Sequence, residues 1–187
     1  VDALVDFSKP TIAALQGDAL GAGLELAMLC AFRLVAPDVK VGFPDIVLGL
    51  PPGAGATQTL PRVVGAEACL TLRRTGKIAK ASVLGAGVDA EINGDFQTGA
   101  LRFAQALADQ GLQDFSIADR SEGFADPLAF QETLYEARQA GDTADAAQMD
   151  VVNAVESALL LPFAAGIEFE RDVFKDAEAR PESRARR

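Results

Sequence analysis

The stretch PTIAALQGDALGAGLEL, residues 10–26, decides how the fold is read. A proline introduces an apolar run, Thr11–Leu15, that suits a short buried strand. Gly17, Gly21 and Gly23 then make a tight turn, which opens into a helical pattern with Glu25 near its start. Strand, glycine turn and helix in that order aim backbone N–H groups at one spot, where they can hold an anion or an oxygen on which charge develops. A carboxylate beside such a spot needs a reason. The plain one is that an acid in a first helical turn complements the helix dipole.

Composition narrows the chemistry. The 187 residues suffice for one sizeable domain with its own core, and 49% of them are apolar. No run approaches the ~18 uninterrupted apolar residues of a transmembrane helix. The absence of histidine excludes histidine-based triads and the usual zinc sites. Cys30 and Cys69 lie in apolar helical surroundings and read as buried thiols, too few for a disulfide framework or a cysteine-only zinc site. No metal site is expected, so carboxylates and backbone groups must carry any chemistry.

Charge is uneven. Residues 1–88 carry 8 basic and 7 acidic side chains, whereas residues 89–187 carry 9 and 20, for a total of −10. That balance argues against nucleic acid as a partner. A small anionic ligand fits the near-neutral first half better, around Arg62, Arg73, Arg74, Lys77 and Lys80, and the acidic half reads as a solvated helical surface. The chain starts at Val1 without a signal-peptide pattern and stops at Arg187 in a charged run, so it reads as a piece of something longer.

Periodicity and punctuation predict a strand over Lys9–Gln16, a helix over Gly21–Ala36 and a strand over Lys40–Phe43 ended by Pro44-Asp45. The second glycine-rich loop, PPGAGAT (Pro51–Thr57), leads into helical segments split by Pro61 and continued over Gly65–Arg74. A turn, a small helix and a strand fall within Gly76–Ala90, and an amphipathic helix spans Phe96–Gly111. Residues 112–126 read as a loop, and Asp126-Pro127 starts a helix running to about Gln139. Gly141–Gln148 reads as a loose connection. Val151–Ala177 is a long helix or helix pair interrupted at Pro162, with Phe163, Ile167, Glu170 and Phe174 at helical spacing.

The segment GAGLEL matches only part of a dinucleotide-binding fingerprint, because Leu26 occupies the position of the third glycine. It is no P-loop, since no Gly-Lys-Ser/Thr follows. A different reading uses more of the residues. Asp45 follows the next strand end, just before a loop containing Gly49, Gly53 and Gly55. Two carboxylates with glycine-rich backbone between them suit acid–base work on a substrate that becomes an enolate. Taken singly, Asp45 reads equally well as a turn cap.

The segments KPTIAALQGDALGAGLELAMLCAFRLVA and FPDIVLGLPPGAGATQTLPRVVG resemble the enoyl-CoA hydratase/isomerase (crotonase) superfamily, in particular the hydratase part of bifunctional hydratase/3-hydroxyacyl-CoA dehydrogenase proteins. The resemblance is specific over about residues 8–76 and looser through 77–111. The closing LLPFAAGIEFERDVFKDAEARPESRARR resembles the helix that leads into the dehydrogenase half. It implies an α/β fold, a repeated ββα spiral lacking its N-terminal part, with a C-terminal helical region. The implied divisions are a core over 1–111, a loop and helix connection over 112–149 and a linker helix over 150–187. In that family a segment before the KPTIAALQG strand supplies the first oxyanion donor and many coenzyme A contacts.

Residue by residue, the resemblance makes Ala22 the second backbone oxyanion donor, Glu25 the first catalytic carboxylate and Gly53 the N–H that helps place water. Asp45 stands where hydratases carry a second glutamate, a departure from the family. The implied reaction is hydration of trans-2-enoyl-CoA in fatty acid β-oxidation, with enoyl-CoA isomerase activity as an addition. Coenzyme A is then part of the substrate and no cofactor is needed. NAD would enter only with a dehydrogenase part in cis. A homo-oligomer and a cytoplasmic, or in a eukaryote peroxisomal, setting are further expectations. Two alternatives stay open: another acyl-CoA enzyme of the same fold, and a non-catalytic scaffold or truncated module.

Overall fold

The computed structural model describes residues 1–111, 115–140 and 145–186. A one-turn helix, α1 (Asp2–Val5), precedes strand β1 (Ile12–Leu15). Strand β2 (Ala19–Leu20) and helix α2 (Ala22–Leu29) follow, then strands β3 (Phe32–Val35) and β4 (Lys40–Gly42) and the kinked helix α3 (Ala56–Thr75). After β5 (Ala79–Lys80) and β6 (Ala90–Glu91) the chain is helical: α4 (Phe96–Asp109), α5 (Pro127–Ala140), α6 (Ala146–Leu160), α7 (Phe163–Ala179) and α8 (Pro181–Arg186). Short 3₁₀ turns fill several connections, among them Pro44–Leu48.

The strands sort into two small sheets. Strands β1, β3 and β6 form one, all parallel, and β2, β4 and β5 form the other. Each of the first two repeats puts its first strand in one sheet and its second in the other, then returns by a helix. This is the repeated ββα spiral that the resemblance implies, followed by a C-terminal helical region. The third repeat breaks the order, because β5 is antiparallel to β4 and comes before β6.

One expectation fails here. The helix predicted over Gly21–Ala36 ends at Leu29, and Phe32–Val35 is strand β3, in register with Ile12–Leu15. Cys30 takes an extended conformation and turns the chain. The strand was hidden by Arg33, a charge in an apolar run that is nonetheless fully buried. Its guanidinium donates to the carbonyls of Gly87 (2.6 Å), Cys30 (2.5 Å) and Ala31 (3.1 Å) and to Asp89 (3.3 Å), so the charge is satisfied where it sits.

The break in α3 falls at Gly65 (φ 79°, ψ 179°) and not at Pro61, which lies within the helix. Asp126 caps α5 through the Ala129 N–H (3.0 Å), as its pairing with Pro127 predicts. The interruption at Pro162 separates α6 from α7. Of the connection expected over Gly141–Gln148, positions 141–144 lie outside the described residues, as do positions 112–114 of the loop before Pro127.

One apolar cluster joins the spiral to the C-terminal helices. Leu24 and Met28 of α2, Val41 of β4, Leu60 of α3 and Val151 and Val155 of α6 all belong to it and are fully buried. Each such side chain stabilises the fold by roughly 1.5–3 kcal/mol relative to exposure. Both cysteines are free thiols, Cys69 buried and Cys30 half-buried. Among the described residues no helix is long and apolar enough to cross a membrane.

Candidate active site

The site begins at the turn between β2 and α2. Gly21 donates its N–H to Gly42 O in β4 (2.9 Å) and accepts the Glu25 N–H (3.0 Å), so the start of α2 is pinned to the neighbouring strand. Gly21 has φ 51°, and a β-carbon there would run into the Asp45 carboxylate. Both facts demand glycine. Ala22, the first residue of α2, has an exposed side chain. First-turn N–H groups of a helix have no partner within it, and Ala22 lines a cavity of about 490 Å³.

Glu25, Asp45 and Gly53 line the same cavity, so the structure brings together all four residues singled out from the sequence. Leu20, Phe43, Leu50 and Pro51 make much of the remaining wall apolar. A concave apolar site with a few convergent polar groups is the usual form of a small-molecule site.

The two carboxylates live differently. Glu25 is 6% exposed and accepts the Ala54 N–H at 2.8 Å. Burial, reinforced by the nearby Glu170, raises its pKa above the ordinary glutamate value, while Arg73 and the N–H groups of Ala54 and Ala56 oppose the rise. Asp45 is exposed, in the first turn of the 3₁₀ segment, and its carboxylate makes no hydrogen bond among the described residues. The cap position of that turn belongs to Phe43, so Asp45 is not its side-chain cap. Its carboxylate rests against Gly21 instead.

Three more side chains shape the cavity or its floor. From α7, the ring of Phe174 packs on Gly53, where any side chain would collide with it. One turn earlier, Glu170 is fully buried and accepts the N–H groups of Gly55 (2.6 Å) and Thr57 (2.7 Å) and the Thr57 hydroxyl. Arg73 of α3 is fully buried over the Phe43 ring (4.1 Å), and its guanidinium has no hydrogen-bond partner among the described residues. The neighbouring Cys69 thiol is pushed up to about 11, chiefly by burial, with Arg73 pulling the other way. The sequence signal for Glu170 was its place in the apolar series Phe163, Ile167, Phe174, where an acid is rarely buried without partners.

The basic residues expected around a small anion do not converge. Arg62 is buried between the rings of Phe124 and Phe163, and Arg73 sits over Phe43. Arg74 bonds to Gln148, and Lys80 pairs with Asp38 at the surface. Aromatic faces, an amide and one carboxylate take these cations separately.

The enoyl-CoA hydratase/isomerase family model matches residues 1–121. Over 179 residues the chain is 37% identical to the "Peroxisomal bifunctional enzyme" of Homo sapiens, covering 93% of this chain and 24% of that protein. Over 77 residues it is 48% identical to a "Probable enoyl-CoA hydratase" of Bacillus subtilis, covering 41% of this chain and 30% of that protein. The chain thus spans only about a quarter to a third of the curated relatives named here. A solved enoyl-CoA hydratase/isomerase from Pseudoalteromonas atlantica shares the fold at TM-score 0.65 and 20% identity, over 99% of this chain and 62% of that one. On the family match and the shared spiral, the chain belongs to the enoyl-CoA hydratase/isomerase family.

Proposed function

We propose that this chain carries the hydration site of an enzyme that adds water to trans-2-enoyl-CoA thioesters in fatty acid β-oxidation. One observation carries the reading: a buried carboxylate, Glu25, shares a 490 Å³ cavity with the first N–H of α2, at Ala22, and with the Gly53 backbone. The Ala22 N–H is one donor to the thioester oxygen, which takes up negative charge as water adds. Glu25 and Asp45 hold the water, helped by the Gly53 N–H. The water oxygen bonds to C3, the C2–C3 π electrons move toward the thioester, and the proton released is passed to C2, giving 3-hydroxyacyl-CoA. No cofactor is consumed, and coenzyme A belongs to the substrate.

The bifunctional relatives support a dehydrogenase part in cis, and NAD would serve that part alone. Their names also support a peroxisomal setting for a eukaryotic source. The uneven environments of the two carboxylates favour one second reading. Moving a double bond from C3–C4 to C2–C3 takes one proton from C2, next to the thioester, and returns one to C4, which a single well-held carboxylate such as Glu25 can do. The full-length protein, assayed by loss of the enoyl-thioester absorbance of crotonyl-CoA and in parallel with a 3-enoyl-CoA, tests both. Hydration of crotonyl-CoA is the expected result. Isomerisation without hydration supports the second reading, and neither activity with no acyl-CoA binding by calorimetry leaves the scaffold.

A further inference from the structure

We propose that Glu170 is a positioning residue of this site: from α7 it fixes the backbone of the loop that places Glu25 and the attacking water. The inference rests on the hydration reading above. The Gly53–Thr57 stretch has two tasks there. Gly53 offers its N–H to the water, and the Ala54 N–H holds Glu25 at 2.8 Å. The next donors along the same backbone, Gly55 N–H (2.6 Å) and Thr57 N–H (2.7 Å), are bound by the two oxygens of Glu170. The Thr57 hydroxyl donates to the second oxygen as well. Two carboxylates thus hold one short backbone from two sides, Glu25 from α2 and Glu170 from α7.

The placement uses physics specific to this point. Gly55 and Thr57 flank the N-terminus of α3, where unpaired N–H groups and the helix dipole favour an anion. Charge-assisted bonds to a fully buried carboxylate are short and directional. One turn along α7, Phe174 packs on Gly53, so both contacts press the same loop. The charged and titratable groups around Glu25 are Glu170 from α7, Arg73 and the Cys69 thiol from α3, and Asp45 across the cavity. Glu170 adds to the rise in the Glu25 pKa, and Arg73 opposes it.

Glu170→Gln in the full-length protein keeps the size of the side chain but replaces one acceptor oxygen with an amide NH₂ facing a donor. Displacing the loop by about 1 Å should lower kcat for crotonyl-CoA on the order of 10–100-fold, with little change in KM. The limb of the kcat–pH profile that reports Glu25 should move to lower pH, because a neighbouring negative charge is gone. A purely structural role would change folded fraction and melting temperature without moving that limb. Thr57→Val, which removes only the hydroxyl donor, should lower kcat less and in the same direction, and it decides the matter if Glu170→Gln does not fold. A folded Glu170→Gln with wild-type kcat and an unmoved pH limb overturns the inference while leaving hydration standing. A wild-type protein that hydrates no enoyl-CoA overturns both.

Discussion

Glu25 and Asp45 belong to consecutive turns of the same spiral, yet one is 6% exposed and bonded to a backbone N–H while the other is exposed and has no side-chain hydrogen bond among the described residues. The difference lies in their supports. Glu25 stands on a regular helix, pinned at Gly21, with Arg73, Glu170 and the Ala54 N–H around it. Asp45 stands on a 3₁₀ turn and touches the site through the face of one glycine. A group held on several sides has a fixed geometry, which a group held on a single side lacks. In the hydration proposed above, the larger share of the chemistry therefore falls to Glu25.

The sharpest test is Glu25→Gln in the full-length protein. Hydration of crotonyl-CoA should fall by about 10²–10⁴-fold, the usual worth of general acid–base catalysis. Activity within a few fold of wild type would reduce Glu25 to a helix-end acid.

Gly21 is where the two regions touch, and Gly21→Ala should affect both. A β-carbon at φ 51° is strained and meets the Asp45 carboxylate. A non-glycine residue in such a conformation costs on the order of 1–3 kcal/mol, and relieving the clash moves the start of α2 with Ala22. Hydration should drop about 10–100-fold together with a lowered melting temperature. An unchanged kcat/KM would show that the turn is not what aligns the two carboxylates.

Asp45→Asn should matter less, on the order of 10-fold in kcat, because a loosely held group contributes at the low end of acid–base effects. Asp45→Glu sharpens the point. The shorter side chain already rests on Gly21, so an added methylene crowds the turn and should reduce the rate. A faster Asp45→Glu enzyme would mean that the aspartate falls short of its water. Wild-type hydration by Asp45→Asn would leave Glu25 as the sole carboxylate of the reaction and overturn the two-carboxylate mechanism.

How much of this could be read in advance follows from how far apart the contacts lie in the chain. The turn at Gly17–Gly23, the loop at Pro51–Gly55 and the helix pair at Pro162 are written in glycine and proline, whose backbone limits are local. Strand β3 escaped because Arg33 looks like a surface residue until Gly87 and Asp89, over fifty positions away, supply its partners. Glu170 was visible as an acid in an apolar stripe. Its destination was not, since its bond to Gly55 spans 115 positions. The basic residues misled for a related reason: sequence proximity of Arg62, Arg73 and Lys80 says nothing about the separate aromatic rings and carboxylate that take them up.

The smallest expected effect is on stability, and it turns on the buried carboxylate. Folding raises the pKa of Glu25, chiefly through burial, so the folded state prefers its protonated form. The stabilisation that goes with that proton is complete below the ordinary glutamate value of about 4.3 and is lost as pH rises through the raised pKa. Glu25→Gln is always neutral and avoids the loss. Its melting temperature should match wild type in acid and exceed it near neutral pH, by an amount on the order of a degree or two. Thermal melts of wild type and Glu25→Gln between pH 4 and pH 8 read this directly. A Glu25→Gln protein less stable than wild type near neutral pH would mean that Arg73 and the Ala54 N–H outweigh burial, and that burial does not set the acidity of Glu25.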